Sequence, residues 1–213
     1  VNNTDINTRI GWYSKGVTSE TGAATEQGYD SANDDDASWS GVPLQLPRIQ
    51  GSDCCGEIIA VGDRVNPDRI GERVLVRTLQ ASLTQEAEFS CISFGSECDG
   101  GFAQYTTARS TETFAVTSSL SDAELASFPC AYSTAENMID RANVKAGETV
   151  LITGASGGVG SAAIQLAKRR QAKVIAICSR GKMAQVAEIG ADQTVERDED
   201  LRKAVGRDSV DVV

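Results

Sequence analysis

The sequence predicts an α/β protein in which a β-rich part is followed by a parallel sheet flanked by helices. Short β-branched segments separated by glycine and polar residues recur between residues 56 and 116, which is typical of a compact, barrel-like domain. After residue 147, strands and helices alternate, which indicates parallel strands joined by right-handed crossovers. We place the two domains at residues 1–120 and 121–213.

An acidic insertion at residues 17–47 interrupts the first domain. No basic residue occurs between Lys15 and Arg48, whereas the stretch is rich in Asp, Glu, Ser, Thr and Gly. This composition predicts a mobile, solvated surface loop. An acidic stretch of this kind can also bind a cation or a basic partner.

The elements of the first domain follow from residue alternation and turn residues. Strands are predicted at 57–62, 73–77, 102–105 and 113–116. Ser121 is a cap residue before a short helix, and residues 132–143 have the pattern of a second helix. We expect these two helices to connect the domains.

The second domain is predicted from apolar strands that alternate with apolar-periodic helices. Strands are expected at 149–153, 174–178, 193–195 and 210–213. One helix runs through Ala162 and Ala167, and two further helices are expected at 183–189 and 199–205.

A glycine-rich turn between the first of these strands and its helix is the motif that carries chemistry. Glycine there permits a tight turn, close approach of the backbone to a pyrophosphate and close packing of helix on strand. A strand before, a helix after and a second strand within about 30 residues favour dinucleotide binding over a glycine turn in a nucleotide-free α/β unit. The motif consists of Gly154, Ala155, Ser156, Gly157, Gly158, Val159 and Gly160.

The end of the second strand indicates which dinucleotide binds. A site for NADH normally has Asp or Glu there, which accepts a hydrogen bond from the ribose 2′-hydroxyl. This strand instead runs into Ser179 and Arg180, with Lys182 close behind, so a hydroxyl and two cations stand where a 2′-phosphate lies. The residues therefore favour NADPH, although Arg180 and Lys182 are also ordinary solvated charges for a helix start.

Composition excludes several classes of function. The formal net charge of −10 argues against a nucleic acid or an anionic membrane as the main partner, and no apolar run is long enough for a transmembrane helix. The chain has no histidine, which excludes a Ser–His–Asp hydrolase, a histidine-liganded metal and a histidine acid or base. Six cysteines without a signal segment fit a cytoplasmic protein.

Several segments resemble, in order, the medium-chain dehydrogenase/reductase superfamily, in particular the zinc-independent, quinone oxidoreductase-like branch of the alcohol dehydrogenase family. These segments are residues 1–5, 51–62, 100–105, 133–135 and 153–160. The resemblance implies a partly open, GroES-like β-barrel as catalytic domain, then a doubly wound Rossmann domain, with the active site in the cleft between them. Relative to the family the chain is expected to be truncated at both ends, and the full-length protein to be a homodimer or tetramer.

The resemblance also bears on zinc. Zinc-dependent relatives hold the catalytic metal with a cysteine near Asn2 and Asn3, a Gly-His-Glu segment and a cysteine near Cys130. Here residues 51–53 read Gly-Ser-Asp, and of the ligands only Cys130 is present. One thiolate does not make a tetrahedral site, so we expect no metal. The alternative is a site of Asp53 and Cys130 with a further ligand.

Two more cysteines fall where those relatives carry a cysteine-rich lobe. Cys91 and Cys98 are not arranged as a Cys-x-x-Cys pair. We expect unconnected thiols in a loop, the alternatives being half of a structural zinc site or a disulfide in an oxidising environment.

The resemblance assigns positions in the cleft. It puts Asn3 and Asp5 near the substrate side, and Ser133 and Thr134 near the nicotinamide and phosphates. Tyr132 has a phenol suited to give a proton to a carbonyl oxygen, or else packs in a helix at the domain junction. We therefore predict Asn3 and Tyr132 as catalytic residues. The predicted cofactor-binding residues are Thr134, the glycine-rich turn, Ser179, Arg180 and Lys182.

The predicted function is hydride delivery from NADPH, without zinc, to a small molecule that is a quinone or an α,β-unsaturated carbonyl compound. One alternative is an alcohol or aldehyde dehydrogenase of the same superfamily. The other is a non-catalytic NADPH-binding protein. Reduction with NADPH, chelator-sensitive alcohol oxidation and binding without turnover distinguish the three.

Overall fold

A computed structural model describes residues 1–25, 27–81 and 91–213. The chain divides into two compact units, Val1–Cys130 and Ala131–Val213. The boundary predicted from the sequence lies ten residues earlier, at residue 120. In the structure the short helix after Ser121 therefore belongs to the first unit and not to the second. Within the described residues, a helix with the length and apolar character needed to cross a membrane is absent.

The helices and strands are as follows. The helices are α1 (Asn3–Arg9), α2 (Asp122–Leu125), α3 (Pro129–Arg141), α4 (Gly158–Arg169), α5 (Met183–Glu188) and α6 (Leu201–Val205). The strands are β1 (Cys55–Glu57), β2 (Arg73–Val76), β3 (Leu79–Ala81), β4 (Cys91–Ser93), β5 (Thr113–Ala115), β6 (Thr149–Ile152), β7 (Lys173–Cys178) and β8 (Gln193–Glu196).

Helix α1 opens the first unit with a capping box. The Asn2 side chain accepts from the Thr4 N–H at 3.1 Å, and the Asp5 carboxylate accepts from the Asn2 N–H at 2.8 Å. The other Asp5 oxygen accepts from the N–H groups of Gly51 and Ser52 at 3.2 and 2.9 Å. The buried Asp5 carboxylate thus fastens α1 to the segment that leads into β1.

The strands of the first unit form small antiparallel sheets. β2 is central in the order β1-β2-β5, with Leu75 opposite Cys55 on one side and Phe114 on the other. β3 and β4 form a second, two-stranded sheet. The predictions for 73–77 and 113–116 are therefore confirmed. These strands close no barrel in the part of the chain that the structure describes.

Two predicted strands of the first unit are wrong. The strand expected at 57–62 ends at Glu57, and Ile58 adds one further pair of backbone hydrogen bonds before Ile59 turns outward with 61% of its surface exposed. The segment at 102–105 is irregular because the Phe102 N–H donates to the Gln50 carbonyl, in a loop rather than in a strand. β-Branched and aromatic residues suggested strands here, but the backbone bonds that define a strand are made elsewhere.

The acidic insertion is anchored to the rest of the first unit. Ser14 Oγ donates to Asp36 Oδ1 at 2.6 Å, and the Ser40 N–H donates to Glu97 at 3.0 Å. Between these anchors Ala37 and Ser38 are buried. The expectation of a wholly solvated loop is therefore wrong for residues 36–40, because Ala37 and Ser38 pack inward while Asp36 and Ser40 are hydrogen-bonded to other segments of the first unit.

The second unit is built on a parallel sheet in the order β6-β7-β8. Val150 pairs with Val174, and Ile175 pairs with Gln193. Val212 bridges to Val150 in parallel, on the side of β6 opposite β7. The strand expected at 210–213 is therefore reduced to one bridge, but it extends the sheet in the other direction. That reversal is the switch point at which open α/β sheets bind ligands.

The core of the second unit lies on both faces of this sheet. On one face, β6 and β7 pack against α3 and against the alanine-rich side of α4, where Ala162, Ile164 and Ala167 are fully buried. On the other face, Leu151, Ile175 and Val195 pack against residues of α6. Small residues on α4 let the helix lie close to the strands, and this places its first turn directly after the end of β6.

Candidate cofactor and substrate site

The glycine-rich turn forms the expected connection from β6 into α4. Gly154 has φ of 58°, which glycine adopts without strain, and the Gly157 N–H donates to the Gly154 carbonyl at 2.9 Å. The Ala155 N–H donates to the Ile177 carbonyl at 3.1 Å, which ties the turn to β7. Ala155 is fully buried, whereas Ser156 and Gly157 are exposed. The backbone of the turn is therefore the part that a ligand can reach.

Gly160 is required by packing. A Cβ atom at this position would lie 2.4 Å from the Gly154 carbonyl oxygen and 2.7 Å from Ala155 Cα. Real Cβ atoms do not approach backbone this closely, so α4 could not follow the turn with a side chain here. The third glycine of the motif has the helix–strand packing role that the sequence predicts for it.

The N-terminus of α4 suits an anion. In this described helix of 12 residues the first turn contains no acidic side chain, and Gly157 at the N-cap has no side chain to satisfy the N–H groups. The free N–H groups and the positive end of the helix dipole therefore point at the same place. The residues present fit the pyrophosphate of a dinucleotide.

The three residues predicted to hold a 2′-phosphate follow β7. Ser179, Arg180 and Lys182 are all exposed, the last two in a single 3₁₀ turn. Arg180 is not alone there: its guanidinium forms an ion pair with Glu196 at 2.7 Å. No local motif in the sequence marks Glu196, which lies at the end of β8 and not in the segment that follows β7.

A second candidate site in the first unit is centred on Asp53. Its Oδ1 accepts from the Cys130 N–H at 2.7 Å, and its Oδ2 accepts from the Asn2 side-chain amide at 3.0 Å. Burial raises the pKa of Asp53 despite these two donors, and the charge of Asp5 adds to the effect. The cluster of Asn2, Asp53 and Cys130, which we name the Asp53 cluster, joins three segments distant in sequence.

The resemblance puts the Asp53 cluster in the segments with which zinc-dependent relatives hold their metal. Both Asp53 oxygens are engaged by N–H donors, and the Asn2 amide nitrogen is turned towards the carboxylate. Burial raises the pKa of the Cys130 thiol to about 11, and the charges of Asp53 and Asp5 add to the effect, so this group is a neutral thiol at neutral pH. Among the described residues, no group of three or more His, Cys, Asp or Glu side chains is placed to hold a metal ion. The described residues by themselves therefore supply too few donors for a zinc site with three protein ligands.

The predicted catalytic residues differ in their surroundings. Asn3 is the first residue of α1 and is exposed, while its neighbour Asn2 makes the contact with Asp53. Tyr132, on α3, is partly buried and packs against the core of the second unit, and Thr134 on the same helix is also partly buried. The sequence prediction did not single out Asn2, whose side chain is held in place as the helix cap.

The cysteines predicted to be unconnected lie in β4 and in the turn after it. Cys91 and Cys98 are partly buried, and in the described residues neither is in a disulfide. Burial raises the pKa of both thiols. Both are therefore thiols at neutral pH.

Comparison with known proteins identifies relatives of both units. The family model described as the alcohol dehydrogenase GroES-like domain matches residues 1–118. Acryloyl-coenzyme A reductase from Metallosphaera sedula is 31% identical over 160 residues, which are 71% of this chain and 48% of that protein. The chloroplastic quinone-oxidoreductase homolog of Spinacia oleracea is 33% identical over 161 residues, 73% of this chain and 44% of that protein.

A solved structure is similar over the whole chain. It is a protein from Sinorhizobium meliloti 1021 assigned to the alcohol dehydrogenases, with a TM-score of 0.80 and 39% identity, and the match covers 100% of this chain and 57% of that one. The chain spans about half the length of the curated relatives it matches.

Proposed function

The chain belongs to the alcohol dehydrogenase GroES-like family, within the medium-chain dehydrogenase/reductase superfamily, and we propose that it is an NADPH-dependent reductase of quinones or α,β-unsaturated carbonyl compounds that works without zinc. The observation that carries this proposal is the Asp53 cluster. The resemblance puts Asp53 in the zinc-binding segment of its relatives, and here each of its carboxylate oxygens accepts a hydrogen bond from an N–H donor. A protein that cannot polarise an alcohol with zinc is better suited to reduce a substrate that is already electron-poor.

Binding of the cofactor is assigned to the second unit. The N–H groups at the start of α4 hold the pyrophosphate, and the backbone from Gly154 to Gly160 lets it approach. Ser179, Arg180 and Lys182 receive the 2′-phosphate, and Thr134 contacts the cofactor from α3. When bound, NADPH supplies the hydride, while the chain positions it and excludes water.

The proton is assigned to Tyr132. Hydride addition to the β-carbon of an enone moves an electron pair onto the carbonyl oxygen, and the phenol O–H gives its proton to that oxygen. Asn3 donates from its amide to the substrate. The names of the acryloyl-coenzyme A reductase and the quinone-oxidoreductase homolog support this substrate class, since each denotes reduction of an electron-poor double bond or a quinone.

The test measures substrate reduction with NADPH and alcohol oxidation with NADP⁺ on the same preparation of the intact protein. We expect NADPH oxidation with a quinone or an enone, and little NADP⁺ reduction with simple alcohols. Tyr132→Phe keeps the ring that packs in the second unit, so folding should be retained while turnover falls about 100-fold. Alcohol oxidation as the main activity would favour an alcohol dehydrogenase. Tight NADPH binding without turnover would indicate a non-catalytic protein.

A further inference from the structure

The end of the parallel sheet carries an ion pair beside the residues assigned to the 2′-phosphate. Arg180 Nε donates to both carboxylate oxygens of Glu196 at 3.1 Å, and Nη2 donates to Oε2 at 2.7 Å. Glu196 is the last residue of β8 and lies opposite Cys178, the last residue of β7. The register of the sheet therefore fixes where this carboxylate meets Arg180.

The pair cancels much of the positive charge that the sequence attributes to this site. The Arg180 guanidinium lowers the pKa of Glu196, so this carboxylate is charged at neutral pH. Glu199 adds a second negative charge that acts on Arg180. Two cations, Arg180 and Lys182, are thus accompanied by two carboxylates. A dianionic phosphate bound here would meet repulsion as well as attraction.

The geometry leaves room for a phosphate but does not remove the opposing charge. Glu196 takes the Nε edge of the guanidinium, which leaves the Nη1 donors for another partner. The Arg180 side chain is 82% exposed and that of Glu196 29%, so the carboxylate is the more fixed member of the pair. A phosphate on Nη1 would therefore bind the same guanidinium group as the negatively charged Glu196 side chain and lie close to it. A ribose 2′-hydroxyl, as in NADH, would not be repelled.

We propose that Glu196 is a specificity-determining residue of the cofactor site, whose carboxylate opposes the 2′-phosphate and lets the protein bind NADH as well as NADPH. This inference rests on the proposed function, in which Arg180 receives the phosphate. Glu196 acts through its charge on the 2′-phosphate, which only NADPH carries. It therefore changes the affinity for NADPH relative to that for NADH and not both affinities alike.

The experiment measures the dissociation constants of NADPH and NADH by nicotinamide fluorescence for the intact protein, Glu196→Gln and a control, Glu188→Gln. Glu188 is an exposed carboxylate at the end of α5. We expect E196Q to tighten NADPH binding about five-fold with NADH little changed, the size of a screened charge interaction at a surface. The gain should shrink in high salt, and E188Q should leave the ratio as it is.

The outcomes separate this inference from the function on which it rests. If the unmodified protein binds neither cofactor, the proposed function is overturned and this inference with it. If it binds one or both, and E196Q leaves the ratio of the NADPH and NADH dissociation constants unchanged, only the role of Glu196 is overturned. Weaker NADPH binding in E196Q, with NADH binding unchanged, would also overturn it, because Glu196 would then be holding Arg180 in place for the phosphate.

Discussion

At the scale of single residues, Asp53 has a raised pKa although it accepts two hydrogen bonds. Burial raises the pKa by more than the two N–H donors lower it. A raised pKa means that the folded chain binds this proton more tightly than the unfolded chain. The contribution of Asp53 to stability is therefore fully present below the ordinary carboxyl pKa of 3.8 and is lost as pH rises through the folded-state pKa.

Asp53→Asn tests this pH dependence. Asparagine keeps one acceptor but turns an amide donor towards the Asn2 or Cys130 N–H, so we expect a loss of about 1–3 kcal/mol in the free energy of unfolding. The loss should be larger near pH 4 than near pH 7, since only the wild-type protein has the Asp53 contribution that is lost as pH rises. Urea unfolding at both pH values measures it, with the exposed Asp63→Asn as control. A loss that grows with pH would contradict the assigned direction.

Gly160 and Gly158 give a matched pair in the glycine-rich turn. Gly160→Ala would put a Cβ 2.4 Å from the Gly154 carbonyl oxygen, whereas Gly158→Ala would put one at an ordinary 3.5 Å from Ala131 Cβ. We expect G160A to lose about 1–3 kcal/mol of unfolding free energy from overpacking, and G158A to lose little. Equal losses in urea unfolding would show that close packing of α4 on the turn is not what requires glycine.

At the scale of elements, Asp192 links three pieces of the second unit. Its oxygens accept from Lys168 of α4 at 2.9 and 2.8 Å and from the Val174 N–H of β7 at 2.7 Å, and the residue directly precedes β8. The Lys168 ammonium, with the Val174 N–H, holds the pKa of Asp192 below its usual range. The carboxylate therefore adds stability above the ordinary pKa, and this is lost as pH falls through the lowered one.

Asp192→Asn should cost about 0.5–1 kcal/mol near pH 7, a modest value because solvent screens a half-exposed pair. The difference from wild type should shrink as pH falls through the lowered pKa of the folded state, because below it the carboxyl is protonated in both folded and unfolded chains. Chemical unfolding as a function of pH measures it, and the exposed Asp198→Asn provides the baseline. A cost that persists undiminished at low pH would assign the effect to packing instead of charge.

The elements that the sequence predicted well are those with a strong local cause. β6, α4 and β7 follow from apolar runs bounded by glycine, and α2 follows from the Ser121–Glu124 capping box that the structure contains. The strand at 57–62 failed because pairing depends on a neighbouring segment, which alternation does not reveal. The strand at 210–213 shrank to the Val212 bridge for the same reason.

At the scale of the whole molecule, the sequence predicted the glycine-rich turn but missed residues that join distant segments. Asn2 reaches Asp53 across the first unit, and Glu196 reaches Arg180 from the next strand. The role of Asn3 stays a prediction from the resemblance, which does not show that the helix cap turns the Asn2 side chain towards Asp53. Charge counts along the chain likewise showed Arg180 and Lys182 but not their partner.

At this scale we propose that a member of the superfamily reduces its substrate without zinc, with Asp53 in the segment where its zinc-dependent relatives hold their metal. The most direct measurement is elemental analysis of the intact protein together with NADPH-dependent turnover of a quinone or an enone, before and after chelation. We predict zinc far below one atom per chain and turnover that the chelator leaves unchanged. One zinc atom per chain, with activity lost on chelation and restored by zinc, would contradict the account.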